Sequence, residues 1–448
     1  MTVEPRTRPR TSRTRPPAAP AQDAPAVTLG QIFEQLFGPD TPIRFEGYDG
    51  SRAGRADATM TIRMVSPRAV SYLITAPGSL GLARAYLQGD VEIDGVHPGD
   101  PYELLRAIDA LTLRRPSPAV ALQWLRGLGL STLKPPPLPD LEQAPSRRLG
   151  FGLRHSRKRD ASAISYHYDV SNDFYELVLG PSMTYTCACY PTEDSTLEQA
   201  QEHKYDLVAR KLGLTPGMRL LDVGCGWGGM VRHAVRNYGV SALGVTLSRE
   251  QASWAGRRIE AEGLTGKAEV RHLDYRAVAE TGFDAVSSIG LIEHVGVKNY
   301  DAYFRFLKGK LRPGGRLLNH GITRADNLHP GLTRRGFIGR YVFPDGELTG
   351  SGRIISEAQD AGLEVLHEEN IRPHYAMTLR DWCANLVEHW DEAVEEVGLP
   401  AAKVWGLYMA GSRLAFEAGG IQLHQVLMGR PDDRDAVSGL PLRPWWTP

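Results

Sequence analysis

The residues with the clearest chemical potential lie in one glycine-rich turn, residues 220–229. The first residues of this stretch are apolar and predict a buried strand, and residues 230–238 have the composition of a helix. Gly224 and Gly226 stand between them, where the absence of a side chain lets the backbone approach a ligand closely. A strand, a glycine turn and a helix in this order bind nucleoside-like ligands in α/β sheets, and Asp222 at the strand end could hold an amine or a hydroxyl.

The spacing of the glycines separates this turn from two other nucleotide sites. No Gly-Lys-Ser/Thr follows, which excludes the phosphate-binding loop, and the third glycine comes too early, at Gly228, for the dinucleotide fingerprint Gly-x-Gly-x-x-Gly. The form Asp-x-Gly-x-Gly is typical of class I S-adenosylmethionine (SAM) methyltransferases. Because many unrelated α/β folds also contain a glycine turn, this interpretation depends on the residues around it.

Polar residues stand at the ends of the next two predicted strands. In a generic SAM or NAD site an acidic residue ends the second strand and binds the ribose hydroxyls. Here residues 241–248 predict that strand, Thr246 occupies the acidic position, and Gln251 follows one turn later. Residues 269–276 predict the third strand, whose end could flank an adenine. Because Thr246 replaces the acidic residue, the sequence matches fewer kinds of methyltransferase than the glycine turn alone would.

The elements that must position these residues follow a regular order. Strands are also predicted at 283–290 and 311–320, and a helix at 197–212 precedes the glycine turn. Five strand–helix units in this order make a doubly wound sheet. We therefore predict an α/β fold of the class I SAM-methyltransferase type, a Rossmann-like doubly wound sheet, with a smaller N-terminal α+β domain.

Composition divides the chain into four parts. Residues 1–26 are rich in Pro, Arg, Thr and Ala and predict a disordered basic tail. Residues 27–137 alternate short helices and strands, which predicts a small α+β accessory domain without recognisable chemistry of its own. Residues 138–160 form a basic linker, which is either a solvated connector or a contact for anionic headgroups. Residues 161–448 hold the predicted sheet and, before it, an aromatic segment that suits a substrate cap.

Bulk properties exclude several classes of protein. The 448 residues are enough for two domains, and 52 Lys and Arg balance 52 Asp and Glu, so no global field attracts nucleic acid. The four cysteines have no metal-ligand spacing and suggest no disulfide framework, so we expect no metal site and a reducing, cytoplasmic setting. No apolar run approaches the ~20 residues of a membrane span, and the N-terminus lacks a signal-peptide core. The sequence therefore predicts a protein that is soluble or at most peripheral to a membrane.

At the glycine turn and at many other positions, the chain resembles the cyclopropane-fatty-acyl-phospholipid synthase family, which includes mycolic-acid cyclopropane synthases and 10-methylenestearate synthases. The similarity covers residues 161–428 and, more loosely, 81–93. Each motif is short, but together they are highly specific. The matching stretches are 167–169, 185–188, 221–229, 244–248 with Gln251, 274–276, 293–296 with Asn299 and Tyr300, 313–320, 341–346, 373–375 and 421–423.

The resemblance implies methyl transfer from SAM to a carbon of a cis double bond in a phospholipid acyl chain. Loss of a proton from the transferred methyl group would close a cyclopropane, whereas a hydride shift before proton loss would leave a methylene, the precursor of a 10-methyl branched chain. The positions that match the SAM site are Tyr185, Thr186, Asp222, Gly224, Gly226, Thr246, Gln251, Tyr275 and Arg276. The resemblance also implies that the accessory domain of residues 27–137 is lipid-associated and that the protein contacts the inner membrane face peripherally. It allows a homodimer, and it implies a partner reductase if the product is a methylene.

The implied reaction needs a base, because methyl transfer leaves a carbocation on the acyl chain that must lose a proton. Aromatic faces can stabilise such a cation, and Tyr168, Tyr185, Phe343 and Tyr375 are candidates. In the family, a bicarbonate ion serves as the base. The positions that match its binding site are Cys187 and Ile322 through their backbone and Glu293, His320 and Tyr375 through their side chains.

These residues also have non-catalytic interpretations. From spacing alone, Glu293 is as good a helix cap as a catalytic group, and a histidine in an apolar strand, such as His320, is more often a core residue. The five separated matches to the family reverse those odds. Methyl transfer to an alkene needs no covalent enzyme intermediate, so we interpret the Cys187 side chain as pocket lining and not as a nucleophile.

The chain departs from the family at two places. Much of the family has a cysteine just before the position of Phe416, where this chain has Gly411 and Ser412, so a mechanism that needs that thiol cannot operate here. Cys189 replaces a usual aromatic residue.

Two alternative functions stay open, a SAM-dependent methyltransferase of another small molecule or of RNA, and a non-catalytic lipid- or SAM-binding module. The zero net charge disfavours the nucleic-acid form, which would need a broad basic face.

Overall fold

The computed structural model describes residues 27–142, 171–328, 336–343, 346–432, 436–437 and 439–446. The expectations for the basic tail, for the linker beyond residue 142 and for Tyr168 lie outside these residues and stay predictions. Within the described ranges, no helix combines the length and the apolar composition that a membrane crossing requires.

The first domain is a four-stranded sheet with helices packed against it. Its strands, in the spatial order β2–β1–β3–β4, are β1 Ile43–Glu46, β2 Arg52–Ala53, β3 Met60–Met64 and β4 Val91–Asp94. β1 and β3 are parallel, whereas β2 and β4 run antiparallel to their neighbours. The helices are α1 Leu29–Phe37, α2 Pro67–Thr75, α3 Ser79–Leu87, α4 Tyr102–Asp109 and α5 Pro118–Leu128, and a 3-10 helix, Leu130–Leu133, follows α5.

Local sequence sets the beginnings of these helices. At α1, the Thr28 side chain accepts a hydrogen bond from the Gln31 N–H, and the Gln31 side chain accepts one from the Thr28 N–H. This capping box satisfies two backbone donors that the first helical turn leaves unpaired. At α2, Ser66 caps the helix and Pro67 supplies a backbone angle that already suits its first turn.

The second domain is built on a seven-stranded sheet in the order β10–β11–β9–β8–β5–β6–β7. Its strands are β5 Arg219–Val223, β6 Ser241–Thr246, β7 Ala268–His272, β8 Phe283–Ile289, β9 Leu311–Arg324, β10 Glu364–Asn370 and β11 Ile421–Gly429. Strands β5 to β9 are parallel and doubly wound, as predicted, and the chain order reverses at β5. The glycine turn therefore lies at the topological switch point, where such sheets bind ligands.

Two strands of this sheet, and the end of a third, differ from the expectation. β10 and β11 were not predicted, and β11 runs antiparallel between β9 and β10. The third predicted strand ends early, at His272. There, Asp274 Oδ1 accepts a hydrogen bond from the Arg276 N–H at 2.9 Å and opens a short 3-10 helix, Tyr275–Ala277. A local side-chain bond to the backbone thus competes with the strand and ends it.

Helices cover both faces of the sheet and form a cap at its carboxyl edge. They are α6 Asn172–Leu179, α7 Leu197–Leu212, α8 Gly229–Tyr238, α9 Arg249–Ala261, α10 Ile292–Val295, α11 Tyr300–Lys310, α12 Phe337–Tyr341, α13 Ser351–Asp360, α14 Arg372–Glu388, α15 Trp390–Val397 and α16 Leu399–Glu417. On one face Val231 of α8 packs in the same core as Leu220. On the other, Phe304 of α11 packs in the same core as Leu221.

The cap consists of α6, α14 and α16 together with residues 183–190. Its centre is a cluster of aromatic rings, in which Tyr185 lies 5.4 Å from Trp382 and 5.6 Å from Trp405 between ring centroids. Tyr175 lies 4.9 Å from Trp227, which follows the glycine turn. The aromatic segment that the sequence assigns to a cap therefore packs directly over the turn.

The two domains share one apolar core. Leu80, Ala83 and Tyr86 of α3 belong to the same buried cluster as Tyr408 and Phe416 of α16. Polar contacts flank this core: the Arg413 guanidinium lies 3.6 Å from the centroid of the Tyr102 ring, and the Tyr102 hydroxyl donates to Glu417. The first domain is thus packed against the cap of the second.

Candidate active site

A small cavity of about 80 Å³ opens at the carboxyl ends of β5, β6 and β7. It lies at the topological switch point of the sheet. Residues from the predicted SAM site line it, namely Gly224, Gly226, Thr246, Gln251, Tyr275 and Arg276. The fold therefore brings together residues that the sequence separates by about fifty positions.

The backbone of the glycine turn explains why side chains are absent there. Gly224, Gly226 and Gly228 have φ angles of 74°, 54° and 75°, in the left-handed region that favours glycine. A Cβ atom at Gly224 would lie 3.1 Å from the Leu291 Cβ, whereas one at Gly226 would meet no atom within 4 Å. The turn is therefore tight against Leu291 and open beside Gly226, which lines the cavity.

Thr246 and Gln251 form a neutral pair at the position usually held by a carboxylate. The Thr246 hydroxyl donates to Gln251 Oε1 at 2.7 Å, and the Ser248 side chain accepts from the Gln251 N–H at 3.2 Å. Because Oε1 is engaged, the amide NH₂ of Gln251 is the part that can serve a ligand, as a donor. A ribose hydroxyl can accept such a bond.

Asp222 lies near the end of β5 and lines neither this cavity nor the larger one that adjoins it in the described part of the chain. The Ser287 hydroxyl donates to it at 2.6 Å, and burial raises the pKa of its carboxyl to about 7, an effect that Ser287 and the charge of Lys204 oppose. Lys204 is fully buried and donates to Thr186 Oγ1 at 3.0 Å and to Gln201 Oε1 at 2.9 Å. Sequence reasoning missed this lysine, because a lysine in an amphipathic helix is ordinarily exposed.

A larger, mostly apolar cavity of about 440 Å³ adjoins the first. Gly290 and His294 line both cavities, so the two meet just beyond the carboxyl end of β8. The predicted residues that line the larger cavity are Tyr185, Thr186, Glu293, Ile322, Phe343 and Tyr375. Gly411 and Ser412, which stand where much of the family has a cysteine, also line it.

The first domain supplies part of the wall of this larger cavity. Leu82 and Tyr86 of α3, Ile93 of β4, and Leu104 and Ile108 of α4 all line it. The expectation that this domain has no recognisable chemistry of its own stays a prediction, and the structure adds that its apolar side chains complete the pocket. The looser family resemblance over residues 81–93 includes some of these positions, but the sequence pattern alone identifies them only as the core face of short elements.

Glu293 lies on α10 and is buried at the point where the cavities meet. Its Oε1 atom accepts a hydrogen bond from the Ile322 N–H at 2.6 Å, and its Oε2 atom has no partner among the described residues. Burial raises the pKa of its carboxyl to about 7, and the bond from Ile322 partly opposes that rise. Glu293 can therefore take up or release a proton near neutral pH.

His320 lies two residues before Ile322 on β9 and is 1% exposed. Its Nδ1 atom is 3.2 Å from Gln425 Nε2, and its Nε2 atom has no partner among the described residues. Burial, together with the charges of Lys204 and Lys211, lowers the pKa of the imidazole well below its usual range. The ring is therefore neutral at physiological pH.

Tyr375 and Cys187 complete the predicted set. Tyr375 of α14 lines the larger cavity, and its ring centroid lies 4.5 Å from that of Phe416. Cys187 is fully buried, its thiol is 3.1 Å from the Ala188 carbonyl oxygen, and it lines neither cavity in the described chain. The expectation that its side chain lines the pocket is therefore corrected. Burial raises the pKa of the thiol well above its usual range, so no thiolate nucleophile forms.

Comparisons with known proteins identify the family to which the chain belongs. Residues 155–426 match the family described as mycolic acid cyclopropane synthetase. The chain is 62% identical over 409 residues to a probable fatty acid methyltransferase of Mycobacterium tuberculosis, covering 91% of this chain and 95% of that protein. It is 34% identical over 388 residues to the cyclopropane-fatty-acyl-phospholipid synthase of Escherichia coli, covering 85% and 91%.

A solved structure extends the similarity to three dimensions. The crystal structure of mycolic acid cyclopropane synthase CmaA1 with SAH and CTAB is 34% identical, with a TM-score of 0.56, and covers 60% of this chain and 98% of that one. The predicted class I methyltransferase fold is confirmed, and so is the predicted resemblance. With the family match extending over more than half of its length, the chain belongs to the mycolic acid cyclopropane synthetase family.

Proposed function

We propose that this chain transfers the methyl group of SAM to a carbon of a cis double bond in a phospholipid acyl chain. One observation carries the proposal: the small cavity at the glycine turn and the larger, mostly apolar cavity meet at Gly290 and His294. A methyl donor in the first and an alkene in the second would face each other there, and such positioning lowers the barrier of a bimolecular step. The relatives named for fatty acid methylation and for acyl-phospholipid cyclopropanation support the same substrate class.

The residues of the small cavity fit SAM, which supplies an electrophilic methyl group when bound. Gly224 and Gly226 let the backbone approach the ligand, and the Gln251 amide can donate to a ribose hydroxyl. Tyr275 lines the same cavity and offers an aromatic ring on which an adenine could stack. The alternative of another small-molecule acceptor is weaker, because a polar acceptor would find few partners along the larger cavity.

The apolar wall of the larger cavity suits the chemistry of an alkene. An alkene is a poor nucleophile, so the site must hold it in place and exclude water that would compete for the cation. Tyr185, Phe343 and Tyr375 line the cavity, and their ring faces can stabilise the positive charge that follows methyl transfer.

We propose further that a small anion, bicarbonate, removes the proton. Glu293 and His320 each have one buried polar atom without a partner among the described residues, Oε2 and Nε2, and these atoms could hold such an ion. His320 can donate a hydrogen bond to the anion, and Glu293, with its carboxyl pKa near 7, can take the proton onward. The Ile322 N–H is already bonded to Glu293 and can serve the anion only if Glu293 releases it. Cys187 would contribute through its backbone alone.

Two alternative products are compatible with this site, a cyclopropane and a methylene. They differ in whether a hydride shift precedes loss of the proton, and a methylene product would require a partner reductase to yield the 10-methyl chain. Gas chromatography and mass spectrometry of lipids from cells that express the protein and are fed oleate would test the proposal. We expect a new acyl species that contains one more carbon than the substrate, at the former double bond, together with formation of SAH. Methyl transfer only to a non-lipid acceptor, or no new acyl species, would overturn the substrate assignment.

A phospholipid substrate also requires a way to reach the membrane, and we propose that α5 and the 3-10 helix after it dock on an anionic lipid surface. α5 has no buried residue. Leu122, Leu130 and Leu133 are 48%, 76% and 43% exposed. Arg126 and Lys134 are exposed among them, so apolar and cationic groups occupy one surface. Leucines that enter the interface and basic groups that meet headgroups are the combination that peripheral membrane binding uses.

Sedimentation with vesicles tests this docking surface. We expect binding to vesicles that contain anionic lipid, weaker binding at higher salt, and loss of binding in the pair Leu122→Glu and Leu130→Glu. Leu442→Glu is the matched control, because Leu442 is fully exposed on the C-terminal segment. Equal vesicle binding by the α5 pair and by the control would contradict the docking surface while leaving the chemistry untouched.

A further inference from the structure

We infer that Lys211 and Gln425 fix the tautomer of His320, so that its Nε2 atom carries the hydrogen and serves as a donor at the site of the base. This inference rests on the proposed function, because it explains how His320 binds an anion. It also makes Lys211 and Gln425 positioning residues, which act on the reaction only through His320.

The first step is a row of side chains across three adjacent strands. In the registers of the sheet, Gln425 of β11 is directly opposite His320 of β9 on one side and Glu369 of β10 on the other. Lys211 enters the row from α7, where its side chain is fully buried. Its Nζ atom lies 2.5 Å from Glu369 Oε2 and 2.7 Å from Gln425 Oε1.

The second step assigns the direction of each hydrogen bond. A lysine ammonium has only donors, so the Gln425 atom that it contacts must be the amide oxygen. The amide therefore presents its NH₂ group to His320, 3.2 Å from Nδ1. An NH₂ group only donates, so Nδ1 must accept, and the single hydrogen of the neutral imidazole is on Nε2.

The third step concerns what this arrangement leaves for a ligand. The His320 Nε2–H group has no partner among the described residues, and a buried donor without a partner costs free energy. An anion at this point would satisfy it. The opposite tautomer would present a lone pair, which repels the charged oxygens of the anion and can meet only a hydroxyl group such as that of bicarbonate. The orientation of one amide thus decides whether the site can bind a small anion through its charged oxygens.

The burial of Lys211 supports a specific role. A buried cation is expensive, and apolar residues of similar size often stabilise a fold equally well or better. Burial lowers the pKa of the Lys211 ammonium, and Glu369 opposes that effect. The lysine supplies what an apolar residue cannot, a donor that holds the Gln425 amide in one of its two orientations.

Nitrogen-15 NMR of histidine-labelled protein tests the inference without any turnover. His320 is assigned as the ring whose signals disappear in His320→Asn. In the wild type we expect the neutral pattern with hydrogen on Nε2. In Gln425→Glu the carboxylate can only accept, so we expect Nδ1 to gain a hydrogen. In Lys211→Met the amide is free to turn, so we expect a mixture of tautomers. Gln422→Glu is the matched control on the same strand, and the wild-type pattern should persist there.

Each variant can overturn the inference independently. A wild-type ring with hydrogen on Nδ1, or an unchanged pattern in Gln425→Glu, would exclude the assigned hydrogen bonds. An unchanged single tautomer in Lys211→Met would show that Lys211 does not fix the orientation of the Gln425 amide. If Gln425→Glu does not fold, Lys211→Met alone tests the inference.

Activity measurements then separate this inference from the proposed function. In Gln425→Leu we expect the bicarbonate concentration for half-maximal rate to rise about ten- to a hundredfold, with KM for SAM unchanged. If the bicarbonate concentration for half-maximal rate and the KM for SAM rise by the same factor, the role of Gln425 is merely structural. The tautomer of His320 could change as expected in an enzyme whose rate does not depend on bicarbonate. That result would contradict the proposed base, and the inference that Lys211 and Gln425 fix the tautomer would stand.

Discussion

Replacing Glu293 with Gln should make the protein more stable and much less active. The carboxyl of Glu293 is buried, with a pKa of about 7 against an ordinary value of 4.5. The folded protein therefore binds an extra proton between these pH values, so the contribution of this group to stability is greatest below pH 4.5 and is lost as the pH rises through about 7. Above that range, the folded state holds a buried charge that the unfolded chain exposes to water.

The size of the effect follows from the difference in pKa. One pKa unit corresponds to about 1.4 kcal/mol, so the cost of ionised Glu293 is about 3 kcal/mol. A glutamine is uncharged, and its Oε1 atom can keep the hydrogen bond from the Ile322 N–H at 2.6 Å. We therefore expect Glu293→Gln to gain about 3 kcal/mol at pH about 8, or a Tm higher by about 5 °C for a domain of this size, and less at pH about 5.

The assay is thermal unfolding of wild type and variant at both pH values, in buffers freed of carbon dioxide so that no bound anion stabilises the wild type. Glu202→Gln on α7 is the control, because Glu202 is exposed and its charge stays solvated. Turnover should fall by roughly 10²- to 10⁴-fold, the usual cost of losing a positioned acid–base group. A variant that is no more stable than the wild type at pH about 8 would refute the argument from burial, and one with wild-type turnover would refute the role of Glu293.

Three further predictions address the rest of the site. Gly226→Ala should weaken SAM binding in calorimetry, because the added methyl group enters open space beside the cavity. Gly224→Val should abolish SAM binding, because its side chain would both strain the backbone and contact Leu291. Unchanged affinity in folded variants would place SAM elsewhere. Ile108→Phe should shift the products toward shorter acyl chains at unchanged SAM affinity, and an unaltered chain profile would exclude the first domain from the substrate pocket. Removal of carbon dioxide should depress wild-type turnover and added bicarbonate restore it, while Glu293→Gln should respond much less; a wild type indifferent to bicarbonate would require another base.

Local sequence was sufficient for the parallel strands β5 to β9 and for six of the residues that line the small cavity. Apolar runs of four to six residues predict buried parallel strands, and the glycine turn can form only where side chains are absent, so β5 and the turn are visible without the fold. Because the carboxyl ends of parallel strands meet at one edge, Gly224, Thr246 and Tyr275 were expected to converge there, and they do. These features depend on residues close together in the chain and on the regular geometry of strand–helix units.

Only the tertiary structure decided the rest, and the reason is that the decisive partners are remote in sequence. β11 carries the buried polar residues His424 and Gln425, which look wrong for a strand interior until partners from β9, β10 and α7 satisfy them. Ile108 reads as ordinary helix core until α4 lies against the cap and its side chain lines the pocket. The sequence determines which groups are available, whereas hydrogen-bond satisfaction and close packing across separate elements determine which of them share a site.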